Sequence, residues 1–201
     1  MFSPYTLWTV AFYEIKTLFR SWFFRIFAAF ALILILLIDY LFFASGYLPW
    51  SLRCLPSSIP YLNTFLVNMA QAIIAIFIAS DFLKNDRKLN SAETIYSRSM
   101  TNAEYVLGKT IGVFTLFMGL NLVVLLGALT INVFFSDVPV DFVSYVMYPL
   151  LISVPTLIYI LGLAFFVMAV TQNQAVTFIL LLAYIAGTLF YFGNKFHWSI
   201  Q

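Results

Sequence analysis

Gly108-Lys109-Thr110, reached through Ala103-Glu104-Tyr105-Val106-Leu107, satisfies a loose form of the phosphate-binding loop pattern. That loop needs a preceding strand and a flexible, glycine-rich turn whose amides wrap phosphate. Here bulky residues fill the turn and apolar sequence follows. The expectation is therefore a helix running straight through, with Lys109 snorkelling to the headgroups. Asp39 is the only acid inside an apolar run and away from the edge where Asp81 sits. Such a residue lines a bundle interior or a substrate path, or it lies near headgroups. Asn63, Asn68 and Gln71 recur at roughly helical spacing, and Asn121 and Asn132 follow further along. Amides of this kind either line a cavity or hold helices together. His197 and Cys54 are each the single residue of their type, so neither a disulfide nor a zinc cluster is expected, and no cofactor is implied. An intramembrane hydrolase needs paired acids, a serine dyad or metal-ligating histidines, and none of these is present within the apolar runs. The ionisable relay of a secondary transporter is missing as well. The chain is expected to carry no catalytic chemistry of its own.

Composition says what must position these residues. Of 201 residues, 63% are apolar and 9% charged, with a mean hydropathy of +0.99. Soluble domains carry about 25% charge, so lipid is the expected solvent. The net charge of +2, with no basic run, points away from nucleic acid. The first apolar run follows about 25 residues that include Glu14, Lys16, Arg20 and Arg25, a lead too long for a removable signal peptide.

A span needs about 20 mostly apolar residues. Five segments qualify: residues 26–45, 62–83, 106–135, 142–170 and 175–192. The third and fourth are long enough to tilt or protrude. Glycine and proline breaks (Gly46, Pro49, Pro56, Pro60, Pro139) mark connections. The fold class expected is all-α, a polytopic membrane helical bundle forming one domain over residues 1–201. Basic residues set its orientation. Lys16, Arg20, Arg25, Lys84, Arg87, Lys88, Arg98 and Lys109 fall on one side, against Arg53 and Lys195 on the other. Eight against two places the N-terminus and residues 84–105 in the cytoplasm.

Residues 7–25 form no span. Phe12, Ile15, Leu18, Phe19, Trp22 and Phe23 share one side of a helix, while Glu14, Lys16, Thr17, Arg20 and Ser21 mostly fill the rest. A basic amphipathic helix rich in Trp and Phe lies in the membrane interface; the alternative is a cytoplasmic extension of the first span.

Residues 84–105 are the longest polar stretch, longer than a passive connection needs. Asn90 or Ser91 can cap a short helix, with Glu93 at or near the capping-box position and Ile95 and Tyr96 as apolar contacts. Thr101 with Glu104 can cap the next helix. A mixed-charge surface helix suits a protein partner; the alternative is a solvated connector.

This loop and its flanks resemble the permease subunits of ABC-2 type exporters. The resemblance rests on Asp86-Arg87, Asn90-Ser91, Glu93-Thr94-Ile95, Ser97-Arg98-Ser99, Glu104-Tyr105 and Gly108-Lys109. Asn90 stands where the family usually has glycine, and Ser99 where proline is common. Residues 12–27 resemble the family's elbow helix. The hydropathy likeness covers the whole chain, but the specific part is only about 25 residues. The resemblance implies a coupling segment (Asp86, Arg87, Glu93, Ile95, Tyr96, Arg98) on which a separate ATP-binding cassette ATPase subunit docks. It also implies a second permease half, in a homo- or heterodimer, and a bacterial cytoplasmic (inner) membrane. Asp39, Asn68, Gln71 and Asn121 would be candidates for lining a cavity. The family has six spans per half where this chain shows five, which implies a sixth beyond Gln201. The competing expectation is a membrane anchor or assembly protein that transports nothing.

Overall fold

The computed structural model describes residues 4–44, 55–88 and 101–188. Seven helices are described, and among the described residues there is no strand. Helix α1 covers Pro4–Arg20 and α2 covers Trp22–Asp39, continued by a π-helical turn over Tyr40–Ala44. Helix α3 is Ser58–Lys88 and α4 is Asn102–Phe135. Helix α5, Phe142–Tyr148, passes through a π-helical turn, Pro149–Ser153, into α6, Val154–Thr171, and α7 is Gln174–Ala186. Four stretches are long and apolar enough to cross a bilayer: Trp22–Phe43, Ser58–Ile76, Ala103–Phe135 and Phe142–Thr171. The chain is thus an all-α, multi-pass membrane protein. The fifth expected span corresponds to α7, an apolar helix of 13 described residues; residues 189–192 lie outside the described part. At 34 residues, α4 is about 51 Å long, well over the roughly 30 Å of hydrocarbon.

The described chain groups into two compact units. The first is Met1–Gln71 with Met100–Ile158, and the second is Ala72–Ser99 with Tyr159–Gln201. In the first unit α4 is the central element. Half of its span is buried, against 22% of the α2 span. Phe30, Ile33 and Leu37 of α2 are exposed instead, as are Leu122, Leu126 and Val133 of α4. A water-soluble surface does not carry so many contiguous apolar side chains, whereas acyl chains solvate them without cost.

The break between the first two helices falls at Ser21, four residues before the expected boundary at Arg25. Ser21 is extended (φ −61°, ψ 127°), and its N–H still reaches back to the Thr17 and Leu18 carbonyls. Arg25, one turn into α2, donates from Nε to the Phe19 carbonyl at 3.0 Å. It thereby satisfies one of the acceptors a helix end leaves open and complements the negative end of the α1 dipole. Trp22–Arg25 therefore belong to the spanning helix. Tyr5, Trp8, Phe12 and Phe19 make an exposed aromatic stripe along α1.

In the second unit α6 and α7 form a hairpin. Gln172 closes it in the left-handed region (φ 53°), donating its N–H to the Met168 carbonyl, and Asn173 Oδ1 caps α7 by accepting from Ala175 N–H. Thr171 and Thr177 hydroxyls bond at 2.6 Å near the turn. Tyr159 and Tyr184 hydroxyls bond at 2.7 Å near the other end.

Candidate functional site

Three constellations stand out, all within the first unit. The first joins α1 to the start of α4. Thr101 and Glu104 form the expected capping box. Thr101 Oγ1 accepts from Glu104 N–H at 3.3 Å, and Glu104 Oε2 accepts from Thr101 N–H at 2.9 Å. The helix then runs unbroken through Gly108 and Lys109. Residues 103–110 are thus helix, the amides from Tyr105 onward bond back four residues, Glu104 N–H is taken by the Thr101 cap, and the amide cradle of a phosphate loop is not formed.

Gly108 and Gly112, one turn apart, let α1 approach at backbone distance. A Cβ at Gly108 would sit 2.9 Å from the Leu7 carbonyl oxygen, and one at Gly112 would sit 2.8 Å from that of Ala11. Small residues four apart are the usual means of close helix approach within a membrane. Ala11 and Glu14 are buried in this seam. Glu14, which helical spacing assigns to the polar side, is only 8% exposed. It lies 4.0 Å from Lys109 Nζ, and the ammonium also sits 4.8 Å above the Tyr105 ring. Lys109 is therefore tied to protein on both sides, a different environment from the lipid headgroups expected for it.

The second constellation is a closed ring of four side chains on three elements. Asn68 Nδ2 donates to Ser153 Oγ at 2.9 Å, and Ser153 donates to Asn121 Oδ1 at 3.1 Å. Asn121 Nδ2 donates to Gln71 Oε1 at 2.7 Å, and Gln71 Nε2 returns to Asn68 Oδ1 at 2.5 Å. Each member donates once and accepts once around the ring. The second protons of Asn68 and Asn121 go to the Thr64 and Phe117 carbonyls of their own helices. All four residues are buried. Such a circuit leaves no orphan in a medium that offers no water to repair one, and its members polarise one another. The three amides proposed from sequence are thus brought together and bonded to each other, in the arrangement that holds helices together.

Ser153 escaped the sequence reading, since a single serine in an apolar run has no distinctive spacing. The available signal was the flanking pair Pro149 and Pro155. Neither can donate a helical N–H, and the π-helical turn between them carries Ser153 at its end.

The third constellation is Asp39 with Asn63. Asn63 Nδ2 donates to Asp39 Oδ1 and to the Ile59 carbonyl, both at 2.9 Å. Asp39 and Asn63 are each fully buried. Ile35, Val67 and Val124 form an apolar layer between this pair and the amide ring. Phe43, Ile59, Ala128 and Val138 close the other side. Nearby, Asn132 Nδ2 donates to the Tyr145 hydroxyl at 3.1 Å.

Asp86 and Arg87 lie in the final turn of α3. Glu93, Ile95, Tyr96 and Arg98 fall outside the described residues, as do Arg53, Cys54, Asn90, Ser91, Lys195 and His197. Among the described residues no group of three metal-ligating side chains gathers. No protein-family model matches the chain, and no curated protein matches it at significant similarity.

Proposed function

We propose that this chain is the transmembrane permease subunit, or part of one, of an ABC-2 type exporter. In this reading it sits in a bacterial cytoplasmic membrane with its N-terminus on the cytoplasmic side, as the eight-to-two distribution of basic residues favours. ATP is hydrolysed by a separate cassette subunit docked on residues 84–105, and a second permease half completes the pathway.

The observation that carries the reading is the seam between α1 and α4. Residues 84–105 lead directly into the capped start of α4, and its first three turns are clamped to α1 through Gly108, Gly112 and the Glu14–Lys109 pair. A displacement imposed on that segment would move α4 and the elbow-like α1 as one body. The exposed Tyr5, Trp8, Phe12 and Phe19 suit α1 to the membrane interface, where such a body would slide.

Affinity isolation of the complete chain from its native membrane, with ATP hydrolysis measured on the isolate, tests this. The reading expects a nucleotide-hydrolysing subunit retained with the chain, and no turnover from the chain purified alone. Isolation without such a subunit, from membranes in which all loops are intact, would favour a non-transporting anchor.

A further inference from the structure

We propose that Asp39, Asn63 and Asn132 form a buried binding site for one desolvated alkali cation between α2, α3 and α4. Donors and acceptors do not balance among these residues. Asp39 Oδ2, Asn63 Oδ1 and Asn132 Oδ1 are buried oxygens with no hydrogen-bond partner. Almost every buried polar group in a folded protein has a partner, and an orphan points to a bound water or ion. The neighbouring Thr64 hydroxyl is a fourth buried atom without a partner; the other three are carboxylate and amide oxygens, which only accept when the acid is ionised, so the ligand they call for is electropositive.

Two of the three belong to one hydrogen-bonded pair. Asn63 spends its amide protons on Asp39 Oδ1 and the Ile59 carbonyl, which leaves its own oxygen and the second carboxylate oxygen without a donor. The third is contributed by Asn132, whose amide is held by Tyr145. Tyr145 packs against the Phe43–Ile59–Ala128–Val138 layer that covers Asp39 and Asn63, and it lies close enough to Asp39 to interact with it electrostatically.

Charge balance decides the valence. A carboxylate buried in apolar surroundings either takes a proton or is held by a compensating positive charge, and no Lys, Arg or His among the described residues pairs with Asp39. One monovalent cation would neutralise it, whereas a divalent ion would leave a net positive charge in the same apolar surroundings. Carboxylate and amide oxygens are hard ligands, suited to alkali metals rather than to soft transition ions. The site lies at the end of the bundle where α2 stops and α3 begins, so an ion there would tie these helix ends to α4.

The test uses the complete purified chain in lipid nanodiscs. Its melting temperature is followed while sodium, lithium or potassium replaces N-methylglucamine at constant ionic strength. The proposal expects a saturable rise of a few °C with at least one alkali ion and none with N-methylglucamine. It also expects radioactive sodium or rubidium to bind at about one equivalent per chain. In Asp39→Asn, which keeps the shape and removes the charge, both the rise and the binding should be lost. Direct ion binding to the unaltered chain decides the matter if that variant folds poorly. Absence of any alkali-specific effect in the unaltered chain, or an equal effect in a folded Asp39→Asn, would overturn the proposal and leave a protonated Asp39 or ordered water as the reading of these oxygens.

Discussion

Glu14 of α1 and Lys109 of α4 lie 4.0 Å apart in a seam where both side chains are almost covered, 11% and 14% exposed. Loss of one partner strands the other charge in that seam, so single neutralisations should cost more than the pair is worth. We expect Glu14→Gln to lower stability by about 1–3 kcal/mol. The reversal Glu14→Lys should be worse, and the exchange Glu14→Lys with Lys109→Glu should recover part of the loss. Thermal unfolding of the four proteins as a double-mutant cycle measures the coupling; purely additive costs would mean that the two charges act independently.

The two glycines beneath that pair should be far less tolerant than Gly119 of the same helix. A Cβ at Gly112 meets the Ala11 carbonyl oxygen at 2.8 Å and Glu14 Cβ at 2.9 Å, whereas one at Gly119 meets nothing within 4 Å. Gly112→Leu should prise α1 from α4 and cost roughly 1–3 kcal/mol. Gly119→Ala should be neutral or stabilise by up to about 1 kcal/mol. Equal behaviour of the two positions in thermal denaturation would contradict the close seam.

The amide ring predicts a different signature. Asn121→Ala removes the donor to Gln71 and the acceptor for Ser153 at once, and hydrogen bonds between membrane helices are typically worth about 0.6–2 kcal/mol each. Loss of roughly 1–3 kcal/mol is expected. Because the ring is already open after one deletion, adding Ser153→Ala to Asn121→Ala should cost less than Ser153→Ala alone costs in the intact ring. Strict additivity in the unfolding free energies would show that the bonds do not act as a circuit.

Orientation is tested by thiol labelling. Cys54 is the sole cysteine, and a membrane-impermeant maleimide should reach it on intact cells. In a Cys54→Ser background, Ser91→Cys should stay unlabelled until the cells are opened. Labelling of Ser91→Cys from outside would invert the topology.

The features legible in the sequence were those set by local rules. The Thr101–Glu104 capping box depends on two residues three apart and forms as expected, and the all-α, membrane-spanning class depends only on the apolar character of successive residues. Asn68, Gln71 and Asn121 could be singled out as amides in apolar runs, but their mutual bonding depends on the tertiary meeting of α3 with α4, which no spacing within one helix encodes. The break at Ser21 was hidden because neither glycine nor proline marks it. The charge at Arg25, which extended the apparent surface helix, instead turns back to Phe19. Glu14 was assigned to a polar face by its charge. The contrary signal was the Gly108–Gly112 spacing on another helix, which announces a close partner but does not say which one.

The most direct test of the account is the amount of ATPase subunit that co-purifies with the chain when the coupling segment is altered. Glu93→Lys reverses a charge and Ile95→Asp removes an apolar contact, both on residues between the spanning helices, so membrane insertion should be unaffected. A buried charge reversal at a docking surface can cost several kcal/mol, and about 1.4 kcal/mol is already tenfold in affinity. The account predicts that the double variant, inserted at normal levels, retains less than about a tenth of the ATPase and loses substrate-linked ATP turnover. Undiminished retention and turnover would reduce residues 84–105 to a connector and contradict the exporter reading.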